Sequence, residues 1–304
     1  MEVENEHGLS DLLDGTPLTQ VSGGYTFTEG PVWIPAHEWL IFSDIPTSTA
    51  HRWRPGDPAA AVYREQTKNG NGMTLDNEGR VICCEQTSRR VVRFPLDDPS
   101  AVEVIAEHYA GSRLNSPNDV VVDSRDRIYF TDPIYGLGPG GEGKEQQHNG
   151  VYRIDPDGTI VLIDDRFQQP NGLVFSPDER YLYIGDSQQL VIRRFSVHED
   201  GSITGGGIFI DMRRAGHSGG PDGMTIDTDG RLWTTGPGGI WVVDADGTNL
   251  GQILMTEQPA NITFGGEDFS TLYVTAETSI YQLGTRVRGA VPGSRTAERA
   301  GVAG

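Results

Sequence analysis

The sequence predicts an all-β fold, a six-bladed β-propeller. One segment layout recurs six times along the chain, and turn-forming residues separate the segments. Glycine occurs 40 times and proline 18 times in 304 residues, and both punctuate turns instead of extending helices. Helical 3.6-residue periodicity is weak throughout, whereas short apolar runs bounded by turn residues are frequent.

The six segments are EGPVWIPAHEWLIFSDI from Glu29, NGMTLDNEGRVICCEQTSRRVVRF from Asn71, NDVVVDSRDRIYFTDPIYG from Asn118, NGLVFSPDERYLYIGDSQQLVIRRF from Asn171, DGMTIDTDGRLWTTGPGGIWVVD from Asp222 and NITFGGEDFSTLYVTAETSIYQL from Asn261. Each opens on a polar residue and continues as a short apolar strand such as Met73–Leu75. A turn rich in Asp, Asn, Gly or Pro follows, such as Asp76–Gly79, which is the chemistry a hairpin needs. A second strand comes next, and often a third. Successive starts lie 42, 47, 53, 51 and 39 residues apart, the length of a four-stranded blade at ~40–50 residues.

Residues 17–284 are therefore expected to form the propeller, with 1–16 an N-terminal extension. The strand missing from the last blade is expected from Pro17–Val21, closing the ring. The tail, 285–304, has few bulky apolar residues and is expected to be loose. The longest insertions, 135–149 and 196–220, are Gly-rich and polar, and are expected to form lids over one face.

Composition narrows the partners. The formal net charge is −19 and the sequence pI about 4.6. That disfavours nucleic acid, which selects a basic face, and anionic membrane surfaces. No stretch reaches the ~18 apolar residues of a membrane span. Cys83 and Cys84 are adjacent in a strand-like run, point to opposite faces and are poor disulfide partners. The acidic N-terminus has no apolar h-region. A cytoplasmic location is expected, or a periplasmic one if a leader has been removed. A small molecule is the expected partner, and a dimer is allowed.

Blades radiate from a central channel, so equivalent positions are related by rotation about it. If one opening residue points inward, all six do. Those residues are Glu29, Asn71, Asn118, Asn171, Asp222 and Asn261, and every one carries a side-chain oxygen. Backbone capping explains a single Asn at a strand start, but caps also use Ser, Thr and Gly. Six oxygen-bearing residues in register point to a hard cation. Calcium is the expected occupant, one ion, with magnesium, manganese or zinc as alternatives. Zinc suits the ring least, since it holds no Cys or His.

The motifs FTEGPVW (27–33), NGMTLD (71–76), LNSPNDVVVD (114–123), FTDPIYG (130–136), QPNGLVFSPDERYLYIGDS (169–187) and GGPDGMTIDTDGRLW (219–233) resemble the SMP-30/gluconolactonase/luciferin-regenerating family, closest to its bacterial gluconolactonase-like lactonases. The likeness spans almost the whole repeat region. It implies a propeller with a catalytic divalent ion in the channel and a ligand set of Glu29, Asn118, Asn171 and Asp222. It places Asn71 at a bound water or substrate, and Asp119 at a substrate-binding position. Regucalcin-like members carry an Arg two residues before the Asn of their Asn-Asp pair, where this chain has Ser116, so their sugar-binding pattern does not transfer.

The expected activity is hydrolysis of a sugar lactone or similar small lactone. An open cation site polarises the carbonyl, and Asp222 acts as general base or nucleophile. The alternatives are phosphotriester or fluorophosphate hydrolysis at the same metal, as in the more distantly similar diisopropyl-fluorophosphatase, and a non-catalytic calcium- or ligand-binding propeller. His148 and His217 lie in the insertions and are candidates to line the pocket, although surface histidines are the common case. Tyr135 and Trp33 flank ligand-bearing motifs, as wall or as core. Asp44, Asp132 and Asp186 end second strands, where they either orient the ring residues or cap turns. There is no G-x-S-x-G elbow and no phosphate-binding loop.

Overall fold

The computed structural model describes residues 2–5, 7–214 and 216–291. Six antiparallel sheets follow one another along the chain. The first blade is Thr28–Ile34, Trp39–Asp44, Thr49–Trp53 and Ala61–Glu65. The second is Gly70–Leu75, Val81–Glu85, Arg90–Phe94 and Glu103–Ala106. The third is Val120–Val122, Ile128–Asp132, Gly150–Ile154 and Ile160–Asp164. The fourth is Pro170–Phe175, Tyr181–Asp186, Val191–Val197 and Ile203–Asp211. The fifth is Met224–Ile226, Leu232–Gly236, Gly239–Val243 and Asn249–Leu254. The sixth takes Pro259–Gly265, Thr271–Ala276 and Ser279–Gly284 from the C-terminal side and Thr19–Gly23 from the N-terminal side. The first strand of each blade touches the first strand of the next, and the sixth touches the first. The chain is thus a closed six-bladed propeller.

The hairpin turns use one device repeatedly. Asp76 Oδ1 accepts the N–H groups of Glu78 and Arg80 at 3.0 and 2.9 Å, and its Oδ2 pairs with Arg80 at 2.7 Å. Asp123 does the same for Arg125 and Arg127, and Asp227 for Asp229 and Arg231. Aspartate side chains mimic a backbone turn in this way. Between turns, apolar faces of neighbouring blades interlock. Ile82, Cys84 and Val91 of the second blade pack with Val120, Phe130 and Tyr152 of the third. Val174, Tyr183 and Ile192 of the fourth pack with Met224, Leu232 and Trp241 of the fifth. Cys83 lies in a different cluster from Cys84, and both thiols are free and buried.

Three expectations change. The stretch 196–211 is not a lid. It belongs to the outer hairpin of the fourth blade, paired from Val191↔Asp211 to Val197↔Ile203. Its glycines Gly205–Gly207 sit in an edge strand with two register slips, and the Phe195 ring fills the space beside Gly206. The tail is not loose over residues 285–290. Thr285 bridges Leu13 and Gly289 bridges Asp227, while the Ala290 N–H donates to the Ile226 carbonyl at 2.9 Å. Residues 292–304 lie outside the described residues. The N-terminal extension is also built in, with Glu2–Asn5 a fifth strand on Asn249–Leu254. Leu9 and Leu13 are buried with Trp233, Ile262 and Phe264. No helix is long and apolar enough to cross a membrane.

Candidate active site at the channel mouth

The opening residue of each repeat sits where its inner strand meets the mouth of the channel. In four blades the pairing slips by one residue there, between Glu29 and Val32, Gly70 and Met73, Pro170 and Leu173, and Pro259 and Asn261. Such bulges re-aim a side chain next to a site. Close approach of the strands depends on glycine. A Cβ on Gly172 would collide with the Asp222 carbonyl oxygen, and one on Gly72 with the Asp119 carboxylate.

The acids at the ends of second strands hold the approach to three ring residues at the same offset. Asp44 accepts the N–H of Phe27 at 3.0 Å and of Thr26 at 3.2 Å. Asp132 accepts those of Asn115 and Ser116, both at 2.7 Å. Asp186 accepts those of Gln168 and Gln169 at 2.8 and 3.2 Å. In each case the donors lie three and two residues before the ring residue, Glu29, Asn118 or Asn171. Capping and orienting are here the same interaction.

Within the ring, Glu29 is buried and its Oε2 accepts the Gly30 N–H at 2.7 Å and the Asn261 side-chain amide at 3.0 Å. Burial pushes its carboxyl from 4.5 up to about 7, and the neighbouring Asp119 adds to this. Asp222 is partly exposed. Desolvation raises its carboxyl well above the usual range, the charges of Glu29 and Asp119 add to this, and Asn171 is within hydrogen-bonding reach. The Asn171 amide donates to Ser187 Oγ at 2.9 Å. Asn71 and Asn118 are buried, and their side-chain amides have no protein partner among the described residues. Asn261 instead spends its amide on Glu29.

Asp119 and Asn261 line the channel. The channel is a cavity of ≈ 610 Å³ lined by inner strands of all six blades, Val32, Thr74, Val121, Val174, Thr225 and Thr263 among them. Burial pushes Asp119 up to about 7. Tyr135 is 43% exposed, with its hydroxyl in reach of Ser187 and Asn171. Desolvation raises this phenol to about 12. The loop carrying it is pinned by the Gly136 N–H on Ser116 Oγ at 2.7 Å.

Among the described residues no hydrogen bond joins His148 or His217 to a ring carboxylate. His148 Nε2 is 3.0 Å from the Tyr152 hydroxyl, within the third blade. His217 is exposed and lies over Gly238 of the fifth blade. Trp33 is buried and stacks on Tyr273 at 5.3 Å between centroids. Sequence reasoning did not single out Ser187 or the hydroxyls of Ser43, Thr131, Thr235 and Thr275. Four of these five stand directly before the last residue of a second strand, a pattern visible only once the strands are aligned.

Among the described residues no three His, Cys, Asp or Glu side chains form a metal-ligand cluster. The ring's donors are split between acids and amides, all of them oxygens. Two acids, Glu29 and Asp222, both raised by desolvation with Asp119 adding to each, beside amide side chains whose oxygens accept no protein donor at Asn71, Asn118 and Asn171 among the described residues, fit a hard divalent cation.

Comparison with known proteins agrees with this architecture. A Zymomonas mobilis gluconolactonase is 32% identical over 306 residues, covering 92% of this chain and 85% of that protein. A Haloferax volcanii pentonolactonase is 29% identical over 256 residues, covering 81% and 80%. The solved structure of a Xanthomonas campestris gluconolactonase superposes with a TM-score of 0.84 at 31% identity, covering 94% and 95%. Residues 27–278 match the SMP-30/Gluconolactonase/LRE-like region, and the chain belongs to that family.

Proposed function

We propose that the protein is a divalent-cation-dependent lactonase that opens a sugar lactone or a similar small cyclic ester. The observation that carries this reading is the mixed ring of acids and free amides at the channel mouth. The lactonase relatives support the substrate class. Glu29, Asn118, Asn171 and Asp222 would hold one ion, and calcium suits an all-oxygen set that includes neutral amides. A bound ion supplies Lewis acidity to the lactone carbonyl and acidifies water.

The chain's own residues do the remaining work. Asp222 is the partly exposed acid of the ring, Glu29 being buried, and it takes the proton from the attacking water as general base. When the ester C–O bond breaks, the same carboxyl returns that proton to the leaving ring oxygen, giving the open hydroxy acid. In the nucleophilic variant its oxygen attacks the carbonyl, the ring C–O bond breaks and the freed oxygen takes a proton from solvent, and water then hydrolyses the acyl–aspartate to give the same hydroxy acid and restore the carboxylate. Glu29 balances charge, held by Gly30 and Asn261. Tyr135 stays neutral below about pH 12 and donates its hydroxyl hydrogen to a substrate oxygen above the ring.

A pH-stat assay tests this with glucono-1,5-lactone, a pentonolactone, other lactones and a phosphotriester, with chelator and with calcium, magnesium, manganese or zinc restored. Lactone opening that depends on added cation is expected. Opening that survives complete metal removal refutes the mechanism. Cation-dependent phosphotriester cleavage without lactone opening would overturn the substrate class.

A further inference from the structure

Ser187 stands just beyond the second strand of the fourth blade. Its Oγ accepts the Asn171 side-chain N–H at 2.9 Å and donates to the Pro221 carbonyl at 2.7 Å. Pro221 directly precedes Asp222. One hydroxyl on the fourth blade thus touches one proposed ligand and the backbone that presents another from the fifth.

An asparagine side chain is nearly symmetric in shape, but only its oxygen can bind a cation. A neighbour must decide which end points inward. The Ser187 proton is committed to Pro221, so its Oγ can only accept from Asn171. The Asn171 NH₂ is therefore held on Ser187, and its Oδ1, which accepts no protein donor among the described residues, is left for the ring.

The other blades make this arrangement more specific. Ser43 Oγ donates to the Asn71 carbonyl and Thr235 Oγ1 to the Ala260 carbonyl, both at 2.9 Å, and each tie reaches the next blade. Both residues stand directly before the last residue of a second strand. In the fourth blade that place is Gly185, which has no hydroxyl. The tie comes instead from Ser187, two residues further on, where the same Oγ also reaches the ring amide.

We propose that Ser187 is a positioning residue that sets the orientation of the Asn171 amide, its own proton being held by the Pro221 carbonyl. This rests on the cation site proposed above. Outer partners of metal ligands contribute ~10–100-fold to affinity.

The test is a double-mutant cycle read by calorimetric calcium titration of the metal-stripped protein, with Tm and kcat recorded alongside. Ser187→Ala is expected to weaken calcium binding at least ~10-fold, and Ser187→Thr to restore most of it. In an Asn171→Asp background both ligand ends are oxygens and orientation no longer matters, so Ser187→Ala should change affinity less than ~2-fold. An unchanged affinity in Ser187→Ala overturns the proposal, as does an equal loss in both backgrounds, which marks a purely structural role. If the parent chain binds no divalent cation, the site reading itself fails, and that result is visible before any variant is made.

Discussion

Asp186→Asn isolates the device that presents Asn171. Asp186 is fully buried. Its Oδ2 accepts the Gln168 N–H at 2.8 Å, and its Oδ1 accepts those of Gln169, Gln188 and Gln189 at 3.2, 3.1 and 3.0 Å. Asparagine keeps the shape and can keep Oδ1 on its three donors. Its NH₂ then faces the Gln168 N–H, so one charge-assisted bond is lost and two donors oppose each other. A hydrogen bond to a charged group contributes ~1.5–3 kcal/mol, and we take ~2–3 kcal/mol as the cost. Unfolding entropy of ~2.1 cal/mol/K per residue gives ~0.6 kcal/mol/K for a chain of 304 residues. The melting temperature should fall by ~3–5 °C. Gln168 lies three residues before Asn171, so calcium affinity at 25 °C, where the variant is still folded, should fall ~10-fold. Differential scanning calorimetry and calcium titration read the two effects separately. A lower Tm with unchanged calcium affinity would show that the cap supports the loop without presenting the ligand, and would refute the reasoning.

The other expectations concern the ring. Asp222→Asn should lower lactone turnover by ~10²-fold or more while the far-ultraviolet circular dichroism stays that of the parent. Near-parental kcat in the pH-stat assay would remove Asp222 from the chemistry. Asn261→Ala deletes the 3.0 Å bond to Glu29 but no proposed ligand, so calcium titration should find a site that is weakened but kept, and loss of the site would return Asn261 to the ligand set. In the metal-free protein Glu29 titrates near 7 instead of 4.5. A raised carboxyl contributes stability that is present below 4.5 and lost as pH rises through about 7. Metal-free Tm should therefore fall from pH 5 to pH 8, while the calcium-induced rise in Tm grows over the same range. A calcium increment independent of pH would take Glu29 out of the site.

Much of this was legible along the chain because a propeller repeats a local pattern. Turn aspartates, short apolar strands and a polar opening residue recur within each blade, so the six ring positions could be aligned without knowing any contact. Weakly patterned strands were not legible. Ile203–Asp211 carries three consecutive glycines in an exposed edge, where packing demands little of the sequence. Glu2–Asn5 has four residues and finds its partner some 250 positions away.

The sequence alone determined the blade count, the hairpins and the six equivalent positions at which the repeats open, because periodicity and rotational equivalence are local properties summed along the chain. Only the tertiary structure decided how those six differ. It set Asn261 against the channel and joined it to Glu29, left the side-chain amides of Asn71 and Asn118 without a protein partner among the described residues, and brought Ser187 between the Asn171 amide and the Pro221 carbonyl. These distinctions arise from bulges, close strand approach and bonds between blades, which link residues tens to hundreds of positions apart and leave no periodic trace.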